Sequence, residues 1–306
     1  MISFIVPVYM SQDSLEELYT RIESVCSINS WVFEVVFVED CGRDDSWVVI
    51  KALSQKYSHI RGYCFRRNYG QHNALLCGIR NAKGDLIVTL DDDLQNPPEE
   101  VPKLLDKLES GYDVVYGKPK RVQHNLFRDL SSKFTKIVLQ KSMGIENAKS
   151  VSSFRIFRTN LRDAFTEFNG PSVNIDVLLT YGTKNFSFEI VEHKQRKYGQ
   201  SGYTLGNLFA HALNMMTGFS IVPLQISSLV GFVLSIFGIV ILIYVFIGWF
   251  THGSATPGFA FLASIITIFS GAQLLALGIF GEYIARIHLK SMGIPSYSIF
   301  EDTEKV

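Results

Sequence analysis

The chain has 306 residues, 29 basic against 29 acidic side chains, and 47% hydrophobic residues. Charged residues make up 19%, against about 25% in typical soluble domains. This balance excludes a nucleic-acid binder working through surplus positive charge, extended disorder, and collagen-like or other low-complexity classes.

In chain order, residues 2–8 read as a buried strand, because the start lacks the basic region and long apolar run of a secretory signal. Residues 14–26 read as a helix, and 33–38 as a second strand ending at Glu39-Asp40. Asp44-Asp45-Ser46 is expected to cap a helix reaching Tyr57. A third strand over 60–65 precedes a helix over 71–82, and a fourth over 86–90 ends at Asp91-Asp92-Asp93. Pro97-Pro98-Glu99-Glu100 opens another helix, since proline is tolerated in a first turn, and 113–116 is a fifth strand. This alternation predicts a doubly wound, mostly parallel α/β sheet, whose ligands bind at the carboxyl ends of the strands. Cys26, Cys41, Cys64 and Cys77 form no CxxC pair and read as reduced, buried thiols.

The polar clusters fall at those strand ends: Tyr9, Glu39-Asp40 and Asp91-Asp92-Asp93. Adjacent carboxylates repel and raise one another's pKa unless a cation is present. If the chain stays extended, Asp91 and Asp93 project to one side. Together with the Gln95 amide they offer hard oxygens suited to Mg²⁺ or Mn²⁺, with water and substrate phosphates completing the shell. A solvated acidic turn capping the next helix is the competing reading. Neither GxxxxGK[ST] nor GxGxxG occurs, which removes the main signals of a P-loop and of the common dinucleotide fold.

Between Lys197 and Glu282 lie 84 residues without Asp, Glu, Lys or Arg, where average usage gives roughly 20. Two apolar runs inside this zone, 228–250 and 259–283, each reach about 35 Å as a helix, enough to cross a hydrocarbon core of about 30 Å. Basic flanks (Lys194, Arg196 and Lys197 before, Arg286 and Lys290 after) place both outer ends in the cytoplasm. Leu205, Leu208, Phe209, Ala212, Leu213 and Met216 recur at helical spacing, which predicts an interfacial helix over 204–222. A core helix fits the same spacing. The domain plan is then a cytoplasmic domain over 1–203, the interfacial helix, two membrane spans, and a cytoplasmic tail over 284–306.

Several segments carry a resemblance: Val6-Pro7-Val8-Tyr9, the stretch 38–46, Arg67-Asn68-Tyr69-Gly70-Gln71, the stretch 90–99 (LDDDLQNPPE), Arg128 with Ser132, Phe154-Arg155, the stretch 196–203, and Phe280-Gly281-Glu282-Tyr283. The chain resembles the family 2 inverting glycosyltransferases over essentially its whole length, in the branch that glycosylates dolichyl and undecaprenyl phosphates. The resemblance implies a GT-A type nucleotide-diphospho-sugar transferase fold in the inner (cytoplasmic) membrane, with its active site facing the cytoplasm. It implies that Pro7, Tyr9, Glu39, Asp40 and Asp91 hold the nucleotide, and that Asp91, Asp93 and Gln95 surround a Mg²⁺ or Mn²⁺. It further implies that Lys118, Arg128, Ser132 and Arg196 receive the acceptor phosphate, with Asp91, Asp93, Arg128 and Arg196 as the catalytic set.

The implied substrates are a nucleoside diphosphate sugar, expected to be UDP-linked, and a polyprenyl phosphate. The implied partners are further copies of the chain, a flippase and a downstream glycosyltransferase of the cell envelope. The chain departs from the pattern at Met10-Ser11, where an acidic or amide residue is usual, and at Ser152-Ser153, where several relatives carry an Asp considered as a base. Competing readings are a membrane-anchored glycosyltransferase with a non-lipid acceptor and a non-catalytic scaffold that binds nucleotide sugar. A processive synthase is disfavoured, because none of Trp31, Trp47 and Trp249 stands in a Gln-x-x-Arg-Trp segment.

Overall fold

A computed structural model describes residues 1–120, 151–170, 173–194, 221–252 and 258–304. The chain divides into two compact units, one formed by Met1–Phe209 with Gly293–Val306, the other by Ala210–Met292.

The first unit is built on an eight-stranded sheet. Its strands are β1 (Ile2–Val8), β2 (Phe33–Glu39), β3 (Ile60–Phe65), β4 (Leu86–Thr89), β5 (Val114–Pro119), β6 (Arg155–Arg158), β7 (Phe186–Val191) and β8 (Ile299–Asp302), in the order β7-β5-β6-β4-β1-β2-β3-β8. The helices α1 (Leu15–Ile28), α2 (Ser46–Lys56), α3 (Gln71–Asn81), α4 (Val101–Glu109) and α5 (Ile175–Gly182) cover its faces. The doubly wound centre expected from the sequence is present in β4-β1-β2-β3, all parallel. The whole sheet is mixed, because β6 runs antiparallel between β4 and β5 and β8 runs antiparallel to β3.

Every residue of β1 is buried, as expected of a strand covered on both faces. Successive side chains alternate between faces: Phe4 and Val6 pack with Leu15, Leu18 and Ile22 of α1, while Ile5 packs with Leu75, Leu76 and Ile79 of α3. Helix α3 approaches β1 closely at Gly78, where a Cβ would stand 2.3 Å from Ile5 Cγ2. Pro7 is accommodated in this central strand for a specific reason. Ile5 O accepts Leu90 N on the β4 side, and Pro7 faces that same side two residues later, beyond the end of β4 at Thr89. No ladder bond is lost there.

The segment read from the sequence as a cytoplasmic tail does not simply trail away. Its last residues form β8 and cover β3, which would otherwise expose unpaired backbone groups. Gly62 N donates to Thr303 Oγ1 at 2.9 Å, Trp47 Nε1 to Glu301 at 2.8 Å, and Lys83 Nζ to Glu304 at 2.8 Å.

The second unit contains two long helices, Val222–His252 and Phe259–Ser291. Their spans Val222–Val245 and Ile268–Ser291 are 24 residues each, with mean hydropathy 2.7 and 1.4, and neither is buried. Leu229, Phe232, Val240, Ile243 and Phe280 are all exposed. A helix as apolar on all sides as the first belongs in a protein core or a membrane, and the length of both suffices to cross one. The expected interfacial helix over 204–222 lies almost wholly outside the described residues.

Candidate active site

The carboxyl ends of β1, β2 and β4 converge on loops with unusual backbone. Met10, Cys41 and Leu94, one in each loop, have φ of 55°, 56° and 60°. Such left-handed non-glycine residues concentrate at functional sites, where surrounding contacts hold them.

At the end of β2, two buried acids build these loops. Glu39 accepts hydrogen bonds from Cys41 N at 3.1 Å, Gly42 N at 2.5 Å and the Cys64 thiol at 3.2 Å. Asp40 accepts Tyr69 N at 2.6 Å and Gly70 N at 2.7 Å, tying β2 to the start of α3. Burial pushes Asp40 up to about 6, the two backbone N–H groups oppose the rise, and Glu39 beside it adds to it. The expected cap of α2 is rearranged. Asp45 stands at the cap position without a side-chain cap bond. Asp44 instead accepts Gln12 N at 3.0 Å and the Ser46 hydroxyl at 2.8 Å, joining the β1 and β2 loops.

At the end of β4 the three aspartates do not continue the strand. The strand ends at Thr89, residues 92–93 turn, and the extended geometry assumed from the sequence gives way to a bend. The carboxylates consequently diverge. Asp91 accepts Gln71 Nε2 at 2.7 Å and Ser153 Oγ at 2.5 Å. Asp92 accepts Tyr9 N at 3.0 Å, and Asp93 accepts Gln95 N at 3.0 Å. Burial pushes Asp92 up to about 6, against hydrogen bonds from Ser11 and Tyr9 N, with Asp91 and Asp93 adding to the rise.

Beneath Asp91 lies a buried polar chain. Thr89 Oγ1 donates to Ser153 O and accepts Arg155 Nε at 3.1 Å. Arg155 pairs with Asp176, which also accepts the Tyr116 hydroxyl at 3.0 Å. Arg155 is 1% exposed, so this pair is held in a low-dielectric interior where satisfied polar networks rigidify their surroundings.

The structure thus brings Tyr9, Glu39, Asp40, Asp91, Asp93 and Gln95 to one end of the sheet, with Pro7 two residues before Tyr9 in β1. Lys118 lies at the carboxyl end of β5, two strands from β4 at the same end of the sheet, its ammonium 4.6 Å from the Phe188 ring of β7. Arg128, Ser132 and Arg196 lie outside the described residues. Lys194 lies beside the bend, its N donating to Gln95 O at 2.9 Å. Sequence reasoning did not assign roles to Asp92, Gln71 or Ser153. Gln71 closes the Arg67–Gln71 stretch and Ser153 belongs to the Ser152-Ser153 pair at which the sequence departs from the resemblance.

The donor set is one of hard oxygens and forms no closed cage. Among the described residues no three His, Cys, Asp or Glu side chains are grouped around a metal position. Asp92 is turned to Tyr9 N, while Asp91 bonds Gln71 and Ser153 and Asp93 bonds Gln95 N; these two carboxylates and the Gln95 amide carry hard oxygens. Mg²⁺ and Mn²⁺ suit one or two carboxylates with water and phosphate completing the shell.

The sequence profile named Glycosyl transferase family 2 matches residues 3–167. Two curated relatives are each named undecaprenyl-phosphate 4-deoxy-4-formamido-L-arabinose transferase. That of Shewanella sediminis is 34% identical over 301 residues, covering 97% of this chain and 91% of the relative. That of Photorhabdus laumondii is 33% identical over 302 residues, covering 97% and 93%. Among solved structures, glucosyl-3-phosphoglycerate synthase from Mycobacterium tuberculosis, in complex with Mn²⁺, UDP-glucose and phosphoglyceric acid, has a TM-score of 0.53 at 15% identity, over 71% of this chain and 77% of that one. Mannosyl-3-phosphoglycerate synthase from Rubrobacter xylanophilus has a TM-score of 0.53 at 16% identity, over 70% and 72%. These structural likenesses establish a GT-A type fold, and with the profile and the whole-length relatives they show that this chain belongs to glycosyl transferase family 2 and is a glycosyltransferase.

Proposed function

We propose that this enzyme transfers a sugar from a UDP-linked donor to undecaprenyl phosphate at the cytoplasmic face of the inner membrane. The observation that carries the reading is the acidic bend at the carboxyl end of β4, in a chain that also bears two helices apolar enough to cross a membrane. The activity for which the two whole-length relatives are named supports the lipid acceptor.

In this reading a phosphate oxygen of the lipid attacks the anomeric carbon opposite the nucleoside diphosphate. The new C–O bond forms as the bond to the diphosphate breaks, and the configuration inverts. A phosphate monoester has its second pKa near about 6, so the attacking oxygen is already ionised at neutral pH. No strong base is then required, and Ser152-Ser153 need not supply one. Asp91, Asp93 and Gln95 would hold a Mg²⁺ or Mn²⁺, which supplies charge neutralisation for the departing diphosphate. Pro7, Tyr9, Glu39, Asp40 and Asp91 would face the nucleotide. Lys118, Arg128, Ser132 and Arg196 would receive and aim the acceptor phosphate, since guanidinium forks match phosphate oxygens. The lipid-linked sugar would pass to a flippase and a further glycosyltransferase that modifies an envelope glycan such as lipopolysaccharide, and copies of the chain would associate through the apolar helices.

The test is to incubate membranes containing the protein with undecaprenyl phosphate and a panel of labelled UDP-sugars. Label should enter the organic phase, stop with a chelator and resume with Mn²⁺. Label confined to protein or soluble products would reject the lipid acceptor, and no transfer at all would favour a scaffold.

A further inference from the structure

A cavity of about 380 Å³ opens at the carboxyl ends of β2 and β3, lined among others by Glu39, Gly42, Cys64, Phe65, Arg66 and Phe300. Phe300 comes from β8, more than 200 residues further along the chain than the others. The β3–β8 ladder pairs Cys64 with Glu301 and then Phe65 with Ile299, so Phe300 is the extra residue of a β-bulge. Bulges beside active sites re-aim a side chain. The residues around Phe300 are anchored. Tyr297 stacks on Phe65 with centroids 5.2 Å apart, Arg66 N donates to Ser298 O at 3.1 Å, and Glu301 accepts Trp47 Nε1. Phe300 itself is 59% exposed, with the Arg66 guanidinium 5.2 Å from its ring centroid. Packing of β8 does not use this ring.

We propose that the C-terminal strand forms one wall of the donor site, with Phe300 and Arg66 gripping the nucleotide base. This rests on the nucleoside-diphosphate-sugar reading above. An aromatic face lies at the rim of the cavity. The Glu39 carboxylate lies in its lining and is held in place by Cys41 N and Gly42 N. Lone pairs used neither by those bonds nor by the Cys64 thiol accept N–H donors from the edge of a base, and a base stacks on an aromatic ring whatever its identity. Gly42 keeps the approach open, since a Cβ there would stand 3.1 Å from Glu39 Oε1. Phe300 is thereby a residue for donor affinity, supplied by the part of the chain that follows the apolar helices.

Calorimetric titration of the full-length protein in detergent with UDP, GDP and dTDP, in the presence of Mn²⁺, identifies the preferred nucleotide. Phe300→Ala should weaken that nucleotide about tenfold, the loss expected for one base–aromatic stack. Phe300→Trp should retain most of the affinity, because indole offers a larger face. Pyrophosphate, which has no base, should bind wild type and Phe300→Ala equally. Unchanged nucleotide affinity in Phe300→Ala, or equal losses for nucleotide and pyrophosphate, overturns this assignment and leaves the transferase reading standing. Failure of the wild type to bind any of the three nucleotides overturns both.

Discussion

Strand β2 buries one acid near its start, Glu34, and another just past its end, Asp40. Burial acts to raise both. At Glu34 it is outweighed by hydrogen bonds from the Ser3 hydroxyl, Lys83 N and Arg61, and by the Arg61 charge 2.5 Å away, so the carboxyl is held below its usual value. At Asp40 only backbone N–H groups oppose burial, Glu39 works against them, and the carboxyl rises to about 6. The amino end of the sheet is therefore neutralised from within by its own cation. The carboxyl end orders its acids with backbone N–H groups and with the uncharged side chains of Ser46, Cys64, Gln71 and Ser153, and it is the end where such sheets bind ligands.

The largest effect should come from removing charge at the carboxyl end. Asp91→Asn or Asp93→Asn should lower transfer about 1000-fold while membrane insertion is unchanged, because metal-assisted charge stabilisation supplies several kcal/mol. Undiminished turnover of lipid-linked product would reject the metal assignment. Next comes the amino end. Arg61→Met strands Glu34 as a buried uncompensated charge and should destabilise the sheet by about 3–5 kcal/mol in chemical denaturation. The double variant Glu34→Leu/Arg61→Met should recover part of that loss. If the single variant loses nucleotide affinity per folded molecule, the division between a structural and a functional end fails.

A smaller change is expected at Ser153, whose hydroxyl bonds Asp91. Ser153→Ala should reduce kcat/KM about tenfold, the value of one hydrogen bond to a charged acceptor, with thermal stability nearly unchanged. An unaltered kcat/KM would show that Asp91 needs no such support. The smallest effect concerns pH. Asp40 keeps its proton up to about 6 in the fold, against an ordinary value of 3.8. The folded state binds more protons than the unfolded chain between those values. The stability that Asp40 contributes is therefore full below the lower value and is lost as the pH rises through about 6. Asp40→Asn should flatten that slope in denaturation midpoints measured from pH 4 to 7, and an unchanged slope would assign the titration elsewhere.

Much of the central sheet was legible because its signals are local. The buried strands of the first 118 residues alternate with amphipathic helices, and β1, β3 and α3 lie within a residue of where periodicity puts them. The positions of Tyr9, Glu39-Asp40 and the triple aspartate at strand ends followed from the same pattern. The roles of Gln71 and Ser153 were not legible, since each reaches Asp91 from a different element across 20 and 62 residues of sequence. Strand β8 was missed because Ile299-Phe300-Glu301-Asp302 has neither the length nor the apolar content of an independent strand.

By itself, then, the sequence determined the β-α alternation, the acidic strand end and two apolar runs long enough for a membrane, because each is written in consecutive residues through period, charge or length. Only the tertiary structure decided that β6 enters antiparallel beside β4, that Asp91–Asp93 bend instead of extending, and that the chain's last residues return to cover β3 and present Phe300. Those outcomes depend on which backbone edge remains unpaired and which distant donor reaches a carboxylate, and no local pattern encodes either.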